Sequence, residues 1–398
     1  MTDLSRDNRL MALALFLWAS GDGLFIYLQP IYIRQLGANP VQIGGVLSLA
    51  GLAMAVAYLP GGILADRISR KTIMLVGWGV GIVAALLMAS AHDWRQFIPG
   101  VMLYTFSAFC VPAVSATIAD AAGDVPLERV LTLVYAGYWA GSIISPWVGG
   151  WLAKLTGMHT VYVVAAMCYA LSTMVILMTK PQPVRARMST WQMPSLTSLR
   201  SGAALGITVF AIFLAMYVGQ PLAPNFLQDA AGWPVERIGL LGSLHALGVT
   251  LLAPALGRWS ATTSRKLRGL LVAQALVWAS LGLLLIGART IPGIIYLAFF
   301  LRGGYGACRN LTNAQIAGRT SAENRGAAFG LAESAVASAQ MAAPYIAGWL
   351  YTAHPAAPIG AGLVLVPAAM LLTPVLSRPP MPIGHARQLP EAAHSSEA

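Results

Sequence analysis

The chain has 398 residues, of which 57% are hydrophobic and only 10% are charged, and its formal net charge is +11. Soluble globular proteins carry about 25% charged residues, so this composition excludes an ordinary soluble protein and indicates helices that cross a lipid bilayer. The basic residues lie in short segments between apolar runs, which is typical of membrane topology and excludes a nucleic-acid-binding patch.

Twelve apolar runs are long enough to cross a bilayer, which takes about 20 helical residues. We number them as spans 1 to 12, predicted at about 10–33, 41–64, 72–91, 96–119, 130–153, 159–179, 203–226, 237–257, 267–287, 292–317, 326–350 and 358–377. No small-residue cleavage site follows the first run, so it is predicted to be a retained helix rather than a signal peptide.

The loop charges predict the orientation. An even number of spans places both termini on one side of the membrane. With a cytoplasmic N-terminus, 18 Lys and Arg residues lie in cytoplasmic segments and 5 on the opposite side. By the positive-inside rule, both termini are therefore predicted to be cytoplasmic, as in a multi-pass protein of the cytoplasmic (inner) membrane.

The chain divides into two similar halves. Residues 1–179 and 203–377 each hold six spans, 180–202 form a Pro- and Ser-containing cytoplasmic linker, and 378–398 form a tail predicted to be disordered. The segment Pro40–Gly44 is echoed by Pro234–Gly239, and Pro146–Gly150 by Pro344–Gly348. This duplication predicts two pseudo-symmetric six-helix bundles around a cavity near the membrane midplane.

The loop between spans 2 and 3 carries the pattern G-x-L-A-D-R-x-S-R-K, formed by Gly62, Asp66, Arg67, Ser69, Arg70 and Lys71. It resembles the signature loop of the major facilitator superfamily, with Ser69 in place of the usual second glycine. The resemblance implies an all-α membrane protein of twelve helices, with a cytoplasmic gate closed by Asp66, Arg70 and Asp120. The alternatives are a generic basic loop, which would need neither Gly62 nor Asp66, and a solvated helix-end acid at Asp120.

Span 5 carries a second motif. Its residues 141–150 resemble the G-x-x-x-G-P-x-x-G-G motif of proton-coupled antiporters in this family, through Gly141, Pro146, Gly149 and Gly150. Small residues allow helices to approach closely and a proline bends a helix. Span 4 departs from these antiporters because it has Tyr104 and Phe106 in the region of their arginine.

Four ionisable residues lie at membrane depth, where a charge costs about 2.5–3.5 kcal/mol. They are Asp22 in span 1, Arg302 and Arg309 in span 10, and Glu333 in span 11. We interpret Asp22 or Glu333 as a proton carrier, with Arg302 or Arg309 as its partner. The alternative is a static ion pair that fixes helix packing. His245 of span 8 is interpreted as a hydrogen-bonded packing residue.

The resemblance places spans 1, 4, 7 and 10 around the cavity. Residues that share a helical face with the four charges, together with aromatic and amide residues of spans 5 and 7, are the predicted substrate-binding set: Gln29, Tyr138, Trp139, Tyr217, Gln220, Asn225, Tyr305, Asn313 and Gln340. Such a pocket suits an amphipathic organic molecule. The alternative for each aromatic residue is a lipid-facing or packing role.

The predicted function is secondary active transport of a small organic solute by alternating access, as proton-coupled efflux and as a monomer. The sequence has no G-x-x-x-x-G-K-[ST] loop for ATP, no metal-ligand spacing around its three cysteines and no sign of a cofactor. The alternatives are uptake of an organic anion on Arg302 and Arg309, and a non-transporting membrane sensor or a polytopic membrane enzyme.

Overall fold

The computed structural model describes residues 4–123, 125–180, 196–261, 266–289, 291, 293–317 and 325–377. All regular secondary structure in these ranges is helical. Seven of the described helical stretches are long and apolar enough to cross a membrane, or eight when the bent pair of span 1 is counted as one. The remaining helices, among them the long helices Leu127–Thr156 and Arg325–Ala353, complete the arrangement, and together they follow the twelve predicted spans.

The N-terminal half contains spans 1 to 6. Their helices are, in chain order, Arg6–Phe25 with Gln29–Gln35, Pro40–Arg67, Arg70–Ala89, Trp94–Phe106 with Val111–Asp120, Leu127–Thr156, and Met158–Leu177.

The C-terminal half contains spans 7 to 12. Their helices are Leu196–Tyr217 with Ala223–Ala231, Val235–Trp259, Lys266–Arg289, Ile294–Leu301 with Gly304–Ala317, Arg325–Ala353, and Ala357–Leu372. Span 7 begins at Leu196, inside the segment predicted as linker. Linker residues 181–195 and the tail 378–398 lie outside the described residues.

Spans 1, 4, 7 and 10 are each broken into two helices, where the sequence predicted continuous ones. The segments of span 1 bend by 45°, and a 3-10 turn, Ser107–Cys110, interrupts span 4. A proline stands in the first turn of the second segment in spans 1, 4 and 7, namely Pro30, Pro112 and Pro224. Because proline lacks an N–H but fits a first turn, each favours the start of a new helix over continuation.

The buried core shows how the halves meet. We call the end that carries Leu4 and Ser377 the terminal face, and the opposite end the distal face. Toward the distal face, one hydrophobic cluster contains residues of both halves, such as Phe25 and Phe226. Toward the terminal face, each half has its own cluster, around Met11 in one half and Phe213 in the other. The described cores of the two halves are therefore joined toward the distal face and separate toward the terminal face.

Glycines bring the halves together at this distal seal. A Cβ at Gly239 would meet the carbonyl of Pro146, and a Cβ at Gly44 would meet the carbonyl of Pro344. Gly44 and Gly239 are equivalent in the two repeats, as are the two prolines. The seal is thus built twice, between spans 5 and 8 and between spans 2 and 11, by backbones that only glycine lets approach.

A serine hydroxyl completes each copy of the seal. The backbone N–H of Trp147 donates to Ser243 Oγ at 3.1 Å, and that of Tyr345 donates to Ser48 Oγ at 3.1 Å. Both donors directly follow the helix-bending proline. We call these two contacts the serine latches. Each joins one half to the other.

Candidate functional site

Asp22 lies in the interior of the N-terminal half, partly exposed, on the first helix of span 1. Its carboxylate accepts a short hydrogen bond from the phenol of Tyr104, on span 4. No arginine, lysine or histidine contacts it among the described residues. A carboxylate at membrane depth without a counter-ion is costly when charged, so the local geometry favours its binding a proton or a cation.

Aromatic rings surround this carboxylate. Trp18 stacks on Tyr169 with ring centroids 4.2 Å apart and lies parallel to Tyr104 at 6.3 Å. Phe25 meets Tyr104 edge-on at 5.5 Å, and the phenol of Tyr138 interacts electrostatically with Asp22. The surroundings are apolar, with polar hydroxyl tips, which is the chemical character that an amphipathic ligand requires.

Arg302 faces this region from the C-terminal half. Its Nε donates to Gln220 Oε1 at 2.6 Å and its Nη2 to the Gln220 carbonyl at 3.1 Å. The guanidinium lies 5.3 Å from the centre of the Phe299 ring. Among the described residues it contacts no carboxylate, so the predicted pairing with Asp22 is not present in this structure.

Arg309 and Glu333 contact each other, as the alternative of a static ion pair requires. Arg309 Nη2 forms a short contact with Glu333 Oε2, and its Nε lies 3.3 Å from Oε1. Asn313 donates to the same carboxylate at 2.8 Å. The side chains of Arg309 and Glu333 are 42% and 36% exposed. This acid therefore has a cation, an amide and access to water, all of which stabilise its charged form.

Of the predicted substrate-binding residues, Tyr138, Trp139, Tyr217, Tyr305 and Gln340 remain partly or fully accessible. Tyr138 meets the Trp139 ring edge-on at 5.5 Å, and Tyr217 lies 5.6 Å from Tyr305. Gln340 of span 11 lies beside the Tyr305 hydroxyl. These residues belong to span 5 of the N-terminal half and to spans 7, 10 and 11 of the C-terminal half.

Three of the predicted binding residues are instead buried in the packing. Gln29 is 4% exposed, because the bend after Phe25 removes it from the helical face of Asp22. Asn225 is 2% exposed and donates to the Pro30 carbonyl at 3.2 Å, which ties span 7 to span 1. Gln220 is 3% exposed and positions Arg302.

The predicted gate is described only in part. Arg70 forms a short ion pair with Asp120, and it also donates to the Ala116 carbonyl at 3.3 Å. Lys71 Nζ donates to the carbonyls of Leu177 and Thr179 at 2.8 and 2.6 Å, at the end of span 6. The positive charge thus meets the negative end of a helix dipole. The side chains of Asp66 and Arg67, and residue Gly62, lie outside the described part.

The span 5 motif packs against span 1 on one side and span 8 on the other. A Cβ at Gly141 would lie 2.6 Å from the Phe16 carbonyl oxygen, and one at Gly149 would overlap the Leu24 carbonyl. Gly150 faces span 8, where an added Cβ would lie 3.0 Å from the Cα of Glu236. Pro146 stands within the continuous helix Leu127–Thr156.

The sequence analysis did not predict the polar contacts at the distal face or a role for Tyr27. Arg34 pairs with Asp229 at 2.6 Å, Tyr351 donates to Asp229 at 2.5 Å, and Lys154 pairs with Glu236 at 2.6 Å. The two ion pairs join the halves, and Arg34, Asp229 and Tyr351 line a cavity of about 420 Å³. The repeat alignment could have revealed the serine latches, because Ser48 and Ser243 each stand four residues after an equivalent glycine. No feature of the surrounding sequence distinguishes Tyr27 as a functional residue.

His245 lies beside Tyr27, with ring centres 5.7 Å apart. Its Nδ1 is buried without a hydrogen-bond partner. The ring therefore packs as predicted, but the predicted hydrogen bond is missing at this nitrogen.

The arrangement of two six-span halves around a polar interior agrees with the comparison of the sequence with protein families. The sequence profile of the Major Facilitator Superfamily matches residues 11–218 and, again, 205–396. The chain belongs to the major facilitator superfamily. Its relatives and this family are membrane transporters rather than enzymes.

Two curated relatives have related descriptions. A putative sugar efflux transporter of Deinococcus radiodurans is 28% identical over 227 residues, which is 54% of this chain and 58% of that protein. The multidrug resistance protein MdtG of Escherichia coli is 28% identical over 266 residues, 62% of this chain and 64% of that protein. The matched region thus spans less than two thirds of either relative.

Solved structures share the fold over nearly the whole chain. The nucleoside transporter NupG superposes with a TM-score of 0.75 at 14% identity, covering 94% of this chain and 98% of that one. A POT family transporter with a bound peptide gives 0.72 at 15% identity, with the same coverage. The human organic anion transporter MFSD10 gives 0.64 at 17% identity over 92% and 99%. At such identities the likeness concerns the fold alone.

Proposed function

We propose that the protein exports a small organic solute across the cytoplasmic membrane in exchange for protons, by alternating access. The observation that carries this proposal is the setting of Asp22: a carboxylate in an aromatic interior, with a tyrosine as its hydrogen-bond donor and no cation in contact among the described residues. Such a group is stabilised by binding either a proton or a cationic substrate.

The exchange follows from competition for this one carboxylate. Protonated Asp22 is neutral and tolerates a closed, dry interior. A substrate that enters from the terminal face and contacts Asp22 favours its charged form, so the proton leaves. Glu333 already has Arg309 and Asn313 as partners, which supports a static role for that pair and leaves Asp22 as the carrier.

The orientation and partners belong to the same proposal. The excess of 18 over 5 basic residues supports a cytoplasmic terminal face, with both termini in the cytoplasm. On that assignment, the cores of the two halves separate on the cytoplasmic side, which supports loading of an exported substrate from the cytoplasm. The partners are the solute, protons and the bilayer, and one chain holds the whole site. The descriptions of the two relatives, one for sugar efflux and one for multidrug resistance, are consistent with export.

Uptake of an organic anion is the second candidate. It is favoured by Arg302, which has no acidic partner among the described residues. The hypothesis required two free arginines on one helical face, however, and Arg309 is engaged by Glu333. The anion site would therefore rest on one guanidinium, which weakens this candidate relative to export.

The test measures proton release from the purified protein in weakly buffered detergent solution. The probes are tetraphenylphosphonium (a cation), chloramphenicol (neutral) and benzoate (an anion). We expect release with the cation or the neutral compound, its loss in Asp22→Asn, and its retention in the matched variant Glu333→Gln. Loss only in Glu333→Gln would move the carrier to span 11. Proton uptake with benzoate alone would contradict export and favour anion symport.

A further inference from the structure

Two side chains of opposite charge face the interior from different halves without a counter-ion. Asp22 of span 1 has Tyr104 as its hydrogen-bond partner. Arg302 of span 10 has Gln220. Among the described residues neither contacts a group of opposite charge. The other two ionisable residues at membrane depth, Arg309 and Glu333, form an ion pair with each other.

The two unpaired charges belong to one region. The phenol of Tyr27 interacts electrostatically with both Asp22 and Arg302. Tyr217 likewise interacts with Arg302, and Tyr138 with Asp22. Tyr27 is therefore within electrostatic range of both the acid and the arginine, although the two charges do not form an ion pair with each other.

An isolated charge at membrane depth is costly, and such residues commonly serve a ligand or an ion. A proton can neutralise Asp22, but no proton can neutralise an arginine. The counter-charge of Arg302 must therefore come from the ligand. If the same ligand also displaces the proton from Asp22, it carries a positive group as well.

We propose that the substrate is amphoteric: its ammonium group binds Asp22 in the N-terminal half and its carboxylate binds Arg302 in the C-terminal half. This inference rests on the proposed function, since it makes the substrate ammonium the group that replaces the proton. One molecule then bridges the two halves. Binding of both ends is what ties substrate occupancy to their relative movement.

The contacts around Asp22 and Arg302 define the amphoteric substrate more narrowly. Gln220 occupies Nε and Nη2, which form one edge of the guanidinium, so the donors left for the ligand lie on the Nη1 side. A carboxylate fits there end-on, across Nη1 and the second N–H of Nη2, whereas the side-on mode at Nε and Nη2 is blocked. Around Asp22 the rings of Trp18, Tyr104 and Tyr138 provide faces for an ammonium and an aromatic or aliphatic body. The expected ligand is a compact organic molecule with one amine and one carboxylate.

Three probes with the same indole body separate the two charges: tryptamine is a cation, indole-3-propionate an anion, and tryptophan carries both charges. Binding to the purified protein in detergent is measured by isothermal titration calorimetry. We expect tryptophan to bind about 10- to 100-fold more tightly than either single-charge probe, since each charged hydrogen bond contributes on that scale.

Variants assign each charge to its residue. Arg302→Gln should reduce tryptophan binding to the level of tryptamine and leave tryptamine binding unchanged. Asp22→Asn should reduce tryptophan binding to the level of indole-3-propionate. Asp93→Asn and Arg95→Gln, which change an acid and an arginine at the distal start of span 4, are the matched controls and should change nothing. Arg302→Lys, which keeps the charge, should retain part of the tryptophan preference and so shows that the site is still folded.

The proposal is overturned if tryptophan binds no more tightly than tryptamine, or if Arg302→Gln weakens both probes equally. It is also overturned if none of the probes binds below about 10 mM, which corresponds to a negligible contribution from either charge. Proton release by tetraphenylphosphonium from the same preparation shows separately whether the exchange function holds. The experiments can thus contradict the amphoteric substrate and still support proton-coupled export, or contradict export and still support the amphoteric substrate.

Discussion

The two membrane-depth acids look alike in the sequence and differ in the structure. Asp22 has one neutral donor, Tyr104, among aromatic rings. Glu333 has Arg309 and Asn313 and is 36% exposed. The charge of Glu333 is satisfied by its own half of the molecule, whereas that of Asp22 needs a proton or a ligand. An acidic residue in an apolar run is thus a candidate functional group. Its contacts in the structure distinguish a proton carrier from a residue that stabilises helix packing.

Their positions add a second difference. Asp22 lies on the span that contributes Phe25 to the core shared by both halves, so movement of one half against the other changes its surroundings. Glu333 contacts residues of its own half, on the terminal side of the interior. Only at the position of Asp22 does the charge of the carboxylate depend on which face of the protein is open.

The largest expected effect separates the acids by transport. In proteoliposomes with an imposed pH gradient, Asp22→Asn should lower proton-driven accumulation of tetraphenylphosphonium by about 100-fold, near the upper end of known coupling energies. Glu333→Gln should stay within about threefold of the unchanged protein, because it removes an ion pair and not the carrier. Equal losses in both variants would contradict the assignment of different roles.

The next effect concerns stability. Arg309→Gln should lower the free energy of unfolding by about 1–2 kcal/mol, because Glu333 keeps its charge and loses its cation. The value is at the low end for a broken pair since both side chains are partly exposed and water screens them. Denaturant titration in detergent measures it.

The double variant Arg309→Gln/Glu333→Gln is the control for this prediction. It should be more stable than Arg309→Gln alone, because no uncompensated charge remains. A double variant as unstable as the sum of the two single variants would mean that the residues act through packing rather than through their mutual attraction.

Much of the fold was predictable because the bilayer imposes simple rules. Apolar runs of fixed length located the twelve spans, and the repeat of Pro40–Gly44 and Pro234–Gly239 predicted two similar halves. The breaks in spans 1, 4, 7 and 10 were not predicted, since hydropathy does not register a proline that starts a new helix. The early start of span 7, at Leu196, was missed because its first turns contain Ser and Arg as a linker does.

The site was predictable in its inventory but not in its pairing. Sequence identified Asp22, Arg302, Arg309 and Glu333, yet helical spacing says nothing about which residues of other spans they meet. Gln29 shows the same limit, because its spacing of seven from Asp22 assumed a continuous helix. Tyr27 contacts both halves, but its place in the chain is an unremarkable position in an apolar run.

Variants of the serine latches also test the difference between Asp22 and Glu333, because they change which face of the protein gives access to Asp22. Ser48→Ala leaves the N–H of Tyr345 without its acceptor, and Ser243→Ala does the same for Trp147. Each lost bond should weaken the distal seal by about 1 kcal/mol. That corresponds to about a fivefold rise in the distal-open population for each variant, and about 25-fold for both together if the sites are independent.

Labelling measures that population. Ala38→Cys, which is buried at the distal cavity, is placed in a background in which Cys110, Cys168 and Cys308 are replaced by alanine, and its reaction with a membrane-impermeant maleimide is timed. Ser338→Ala is the matched control, because that hydroxyl bonds only within its own helix, to the Ser334 carbonyl. Labelling rates that do not change in either latch variant would show that the glycine packing alone holds the seal.

The smallest expected effect is the most direct check on the contrast between the acids. Asp22→Asn should change the free energy of unfolding by less than about 1 kcal/mol, and toward greater stability, because it removes a charge that has no counter-ion to lose. Its amide oxygen can still accept the hydrogen bond of Tyr104, so packing is preserved. Denaturant titration in detergent, beside Arg309→Gln, should then give shifts of opposite sign for the two sites. A loss of about 2 kcal/mol or more in Asp22→Asn would mean that this carboxylate has a cationic partner within the protein, and the distinction between a carrier and a static pair would no longer hold.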